Sequence, residues 1–219
     1  MNDSEKRAEQ ILSMALKVTL ISILSLPACH HAVNKIDLSG QDLRITHATD
    51  EFKGRNLRNA NLAGANLKGF NLSGANLSQA NLERTEFKGA NLNRCQIEGA
   101  IMQDADLREA SLEQANLRGA DLYLARLTDA KLSDANLSNC HLNAANLRSA
   151  DLSYANLSGS QLTTANLSES RLEYSVLLGT DFTGAIIIET VFYGAVYNGD
   201  TILPFSRDEA TARGMIYRK

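Results

Sequence analysis

The chain has 219 residues, a formal net charge of −3, 44% hydrophobic and 5% aromatic residues, two prolines, no tryptophan and three cysteines. This length suits one elongated domain with termini better than two globular ones, and so mild a charge argues against a dedicated nucleic-acid binder. An odd number of cysteines at irregular spacing makes neither a disulfide framework nor a zinc signature.

Residues 1–33 form a distinct leader. Met1 to Gln10 is polar with mixed charge, Lys17 follows, and an apolar run extends from Val18 to Leu26 before Pro27, Ala28 and Cys29. A positive start, a short apolar run and a small residue before a break compose a secretory signal. With Cys29 next, the stretch resembles a bacterial lipoprotein signal. That resemblance implies a lipidated Cys29 at the mature N-terminus, a membrane tether and a place on the periplasmic side of the bacterial cell envelope. Asp3, Glu5 and Glu9 are atypical of a signal's start, and translation from Met14 would remove them. The run is shorter than the ~20 residues that span a bilayer. The other reading is an N-terminal helix packed on the first repeats, or a disordered leader, in a cytoplasmic protein. His30 and His31 follow Cys29, but nothing nearby completes a tetrahedral site, so neither a metal nor a cofactor is expected.

Ile36-Asp37-Leu38 and Gln41-Asp42-Leu43 begin a five-residue pattern in another register, and the step from Leu43 to Phe52 is nine. Residues 34–49 are therefore expected to be an N-terminal cap and loop. From Phe52 to Ile202 a large apolar residue returns at every fifth position, giving 31 centres, 22 of them Leu. The residue two before the centre is small in 27 of the 31. In an α-helix, steps of five walk these side chains around the axis, and in a flat strand an odd step alternates faces. All the centres point inward only if the chain turns a corner once per repeat. The result is a narrow solenoid with small residues where the walls crowd together.

The phrase Ala115-Asn116-Leu117-Arg118-Gly119 and its copies resemble the pentapeptide-repeat proteins, over about seven-tenths of the chain. The resemblance implies an all-β solenoid over residues 50–203, a right-handed quadrilateral parallel β-helix with four repeats and twenty residues per coil. Leu57, Leu77, Leu117, Leu137 and Leu157 then stack as one ladder. Nearly eight coils at ~4.8 Å each make a rod roughly 37 Å long.

Sampling every twentieth residue reads the outer rows. Lys68, Lys88, Arg108, Thr128 and Arg148 fall in line as a basic ridge, bordered by Glu86, Asp106, Glu109 and Asp129. The ridge is either a solvated face or an anion-binding strip for acidic groups on a partner, phospholipid or surface polysaccharide. Tyr154 and Tyr174 fall one above the other. Cys95 and Cys140 occupy the small inward position as core thiols, and His141 faces outward. No nucleophile–base set, phosphate loop or carboxylate pair in a pocket is apparent, so the chain reads as a non-enzyme.

The final coils change character. Val176, Leu178, Ile186, Ile188, Val191, Tyr193 and Val196 stand where earlier repeats carry polar residues, marking covered or shared surface. Residues 204–219 are expected to supply the cover: Ser206 with Glu209 reads as a capping box, Gly214 as a stop, and Phe205, Ala210, Met215 and Ile216 as the seal. An end-to-end homodimer, as in some family members, is the competing use.

Two functions follow. The first is a rigid structural or protein-interaction rod, exported and tethered through Cys29, with an unidentified protein partner. The second is implied by a branch of the family that imitates DNA and protects type II topoisomerases. Residues 50–203 hold 18 acidic and 13 basic residues, a weak charge for a DNA mimic, and a nucleic-acid partner is not expected.

Overall fold

A computed structural model describes residues 52–219. The leader with Cys29, His30 and His31 lies outside the described residues, as does the cap expected over 34–49. From residue 56 onward the backbone repeats one motif: a bridge residue, the inward centre, two turn residues and the small inward residue. Parallel bridges join positions twenty apart, from Asn56↔Asn76 to Val176↔Val196. Each coil therefore has four walls, with bridge residues Asn116, Asp121, Arg126 and Lys131 marking the first to fourth in one coil. Hydrogen bonds run from each coil to both neighbours: Asn116 N–H donates to Cys95 O at 2.8 Å, and Leu117 N–H to Asn136 O at 2.8 Å.

The corners are β-turns. Ala120 N–H donates to Leu117 O at 2.8 Å, and Gly119 between them has φ +66°. A positive φ at the third turn residue is what a type II turn demands, and it favours Gly, Asn or Asp. Gly54, Gly74, Asn59 and Asn139 meet that demand, whereas Leu124, Tyr154 and Tyr174 carry positive φ against their usual preference. The coil-to-coil bonds impose the corner on them.

The core is a column of centres walled by small residues. Leu57, Leu77, Leu117, Leu137 and Leu157 are all buried, as are Ala115, Cys95 and Cys140. Most polar residues in the small position use one device, bonding the centre carbonyl 23 residues earlier, whereas Ser175 Oγ donates to Leu172 O three residues earlier. Thr85 Oγ1 donates to Leu62 O at 2.8 Å, Thr180 Oγ1 to Leu157 O at 2.8 Å and Cys140 Sγ to Leu117 O at 3.0 Å. Ser170 Oγ is buried without a partner.

The twenty-residue register slips once. Asp181 bridges Ile202, 21 residues on, and Phe182 N–H donates to Ile202 O. Ile202 is thus a half-exposed bridge residue and not the centre expected from counting, and Tyr197 is the last centre in phase. Leu203 packs against the core instead. The extra residue lies in the turn at 198–201, where Asn198 Oδ1 accepts from Gly179 N–H at 3.0 Å and Thr201 Oγ1 donates to Leu177 O at 2.7 Å.

The chain then changes element. A strand β1, Val196–Tyr197, is followed by helix α1, Arg207–Ala212, and by strand β2, Ile216–Tyr217, which pairs parallel with β1 twenty residues on. The helix stands in the place of two sides of a further coil, so the third and fourth walls end at Ile186 and Val191. Ser206 caps it by accepting from Glu209 N–H at 3.2 Å, and Gly214 has φ +73°. Ala210 and Met215 are buried and Phe205 is packed against the core, but Ile216 is 54% exposed and seals nothing.

Candidate interaction surface

The register places Lys68, Lys88, Arg108 and Arg148 on the corner between the third and fourth walls, and each has an acidic neighbour. Lys68 Nζ lies 2.6 Å from Glu86, Lys88 Nζ 3.1 Å from Glu109, and Arg148 2.6 Å from Glu169. Arg108 grips both oxygens of Asp106 at 2.7 and 2.6 Å, and Arg126 reaches the same carboxylate at 3.1 Å. Asp106 is the one Asp, Glu, Lys or Arg among the described residues that is buried. The Arg108 hydrogen bonds hold its carboxyl below the usual carboxylate range, with Arg126 adding to the effect. The ridge is therefore a ladder of neutralised pairs, and an acidic ligand there must displace these internal acids.

The corner between the fourth and first walls is built differently. Its positive-φ column reads Gly54, Gly74, Arg94, Gln114, Asp134, Tyr154, Tyr174 and Gly194. Where the two glycines leave no side chain, a groove of about 450 Å³ opens, lined by Lys53, Asn93, Arg94, Glu113 and Gln114 among others. Further along, Tyr154 and Tyr174 stack with ring centroids 5.1 Å apart and planes 12° apart, and Tyr193 meets Tyr174 edge-on at 5.9 Å. Gly194 makes that possible: a Cβ there would sit 2.5 Å from Cδ1 of Tyr174. Both the groove and the depth of this aromatic column escaped the sequence reading. Sampling the residue two after each centre at a step of twenty would have exposed them.

Of the apolar residues singled out near the end, Ile186, Ile188, Val191 and Tyr193 are exposed, while Val176, Leu178 and Val196 are half-buried. Ile202, Ile216 and Tyr217 continue the exposed set on the remaining walls, so apolar side chains ring the end of the rod. Burial pushes the thiols of Cys95 and Cys140 up to about 12. Among the described residues no group of His, Cys, Asp and Glu is placed to hold a metal, and no helix is long and apolar enough to cross a membrane. His141 is an exposed bridge residue.

A family model for pentapeptide repeats matches in eight copies, over residues 56–94, 90–129, 130–168 and 165–196. No curated protein matches the chain. Among solved structures, a pentapeptide repeat protein from the cyanobacterium Cyanothece 51142 is 35% identical over 43% of this chain and 65% of its own, with TM-score 0.43. The chain thus spans under two thirds of that relative's length. A pentapeptide repeat protein of the Arabidopsis thaliana thylakoid lumen is 22% identical over 57% of this chain and 74% of its own, with TM-score 0.36. QnrB1, a plasmid-mediated fluoroquinolone resistance protein, is 15% identical over 81% of this chain and 94% of its own, with TM-score 0.39.

Proposed function

Because the chain belongs to the pentapeptide-repeat family, whose fold is a right-handed β-helix solenoid, we infer that it is a non-enzymatic rod that presents its outer face to a protein partner. The observation that carries this reading is the concentration of exposed Ile186, Ile188, Val191 and Tyr193 in the final coil, on a rod whose exposed large apolar side chains before it, such as Ile101, Tyr123 and Leu124, are spread over earlier coils. We read residues 204–219 as a partial cover: Ala210 and Met215 close the core, and the surrounding apolar ring is left for the partner. A photo-crosslinking residue at position 188, compared with one at position 118, tests the reading in cells. Adducts from position 188 alone are expected, and equal yields from both would overturn it. A second rod, joined end to end, is one form that partner can take, and sedimentation equilibrium of Ile188→Lys against the parent separates it from a different protein.

The reading extends to location. The apolar run Val18 to Leu26 before Ala28 and Cys29 supports export and a lipid tether at Cys29, on the periplasmic side of the envelope, and mass spectrometry of the mature N-terminus from native membranes tests it. An unprocessed Met1 would remove the lipoprotein reading and favour the cytoplasmic one.

The second reading is protection of a type II topoisomerase by imitation of DNA. It draws on the later coils, where residues 127–203 carry eight acidic side chains against three basic ones. Against it stands the pairing of Glu86, Asp106, Glu109 and Glu169 with cations of this chain, which cancels the line of free charge that phosphates present. Inhibition of gyrase supercoiling at micromolar protein would favour this reading over the first.

A further inference from the structure

The tyrosine corner is closed at one end and open at the other. On the C-terminal side Tyr174 lies against Gly194 and receives the edge of Tyr193, so both faces of its ring are covered while its rim stays exposed. On the N-terminal side Tyr154, 58% exposed, has only the short side chain of Asp134 one coil beneath it. A phenol ring reaches well beyond a carboxylate on the same column, and among the described residues Tyr154 stacks on Tyr174 alone, so its N-terminal face has no ring against it at coil spacing, ~4.8 Å. Asp134 is exposed and forms no ion pair or side-chain hydrogen bond among the described residues. The neighbouring acids are engaged: Glu173 is held by Arg171 and Ser153, and Asp151 pairs with Arg171. Lys131 and Arg171 are the cations on the adjoining wall, against Glu113, Asp134, Asp151 and Glu173 near the corner.

We propose that Tyr154 and Asp134 together form a receptor for a guanidinium group, the side chain of an arginine on a partner protein. A planar cation slides under the ring face, where the quadrupole attracts it, and its N–H groups meet the carboxylate that ends the slot. The slot's height suits a flat delocalised cation better than a solvated ammonium. The rod itself offers a parallel at the other end of the same surface, where Arg94 Nε donates to the planar amide of Gln114 at 3.0 Å one coil above it. The proposal rests on the reading of the chain as an interaction rod and specifies one contact on it.

The test uses the full chain with ¹³C-labelled tyrosine rings, titrated with a short peptide bearing one arginine, its citrulline and lysine counterparts, and free arginine amide. Saturable shifts of the Tyr154 resonance are expected with both arginine probes and not with citrulline, and saturation by free arginine at the peptide's own concentration would identify a small guanidinium compound as the source. Asp134→Asn, read from Tyr154, and Tyr154→Leu, read from the adjoining Tyr174 ring, should each weaken the arginine peptide roughly two- to five-fold. Both replacements exist at this turn position elsewhere in the chain, as Asn139 with φ +57° and Leu124 with φ +57°, so the corner should keep its conformation. The Tyr174 and Tyr193 resonances of Asp134→Asn report that directly. Equal shifts with citrulline, equal affinity for lysine, or an unchanged titration in Asp134→Asn would overturn the receptor. Failure here with crosslinking at position 188 intact would remove this contact and leave the interaction rod standing; loss of crosslinking with the titration intact would do the reverse.

Discussion

Ala115 and Arg118 lie three residues apart, on either side of the first wall, and obey opposite rules, since Ala115 is buried and the Arg118 side chain is 59% exposed. Ala115→Leu should destabilise the fold by about 1–3 kcal/mol through overpacking, while Arg118→Leu should stay within about half a kcal/mol. Urea unfolding of the two side by side measures the difference, and equal midpoints would refute the inward assignment. The spacing of the sequence was enough to place these residues, because a period of five admits few other windings. It was not enough to find the hydrogen-bond partners of the polar small residues, which lie 23 positions away across a coil. Ser170 shows the consequence: its hydroxyl is buried without an acceptor, where Thr180 and Thr190 have one. Ser170→Ala should therefore raise stability by roughly 1 kcal/mol, read as a higher urea midpoint with unchanged slope. The thiols give a chemical readout of the same core. With pKa values near 12, Cys95 and Cys140 should resist alkylation at pH 8 until the rod unfolds.

At the level of the single coil, the outer rows are more than decoration. Asp106 occupies a bridge position, where Asn is the commonest residue, yet it is buried and held by two arginines. Its folded pKa is depressed, so the stabilisation exists above the unfolded carboxyl value, about 3.9, and is lost as pH falls through the lower folded value. Asp106→Asn should cost about 1–3 kcal/mol at pH 7, limited because Arg108 and Arg126 are 40% and 53% exposed and can rehydrate. The difference between the variant and the parent should shrink as pH falls below 4, and a gap independent of pH would contradict the ion-pair account. The ridge was legible as a row but its neutralisation was only half legible, because side-chain reach decides which acid each cation finds. The C-terminal helix was read from Ser206 and Glu209, a local signal. The register slip at 198–201 was hidden, because Ile202 satisfies an apolar count whether it points inward or outward.

For the whole molecule, the fold is a one-dimensional stack in which each coil bonds only to its neighbours. Its strength is set by successive interfaces and not by a central core. The C-terminal end differs from the middle: Ala185, Ile187, Leu203 and Phe205 are only partly buried, whereas Leu112, Leu117 and Leu122 are fully enclosed between coils on both sides. Amide exchange should therefore be slowest around residues 100–150 and faster toward the last coil, where the third and fourth walls lack a following bridge. Leu117→Ala probes the middle directly. It removes a buried side chain from the central ladder between Ile97 and Leu137, and should cost ~2–5 kcal/mol, depending on how far the neighbouring coils close the cavity. Because the two halves of the rod communicate only through that layer, the loss should appear as faster exchange on both sides of residue 117 and a broader denaturant transition. Protection unchanged on either side, with a loss below half a kcal/mol, would mean that the centres do not form a continuous column and that the coils are held by their backbone ladders alone.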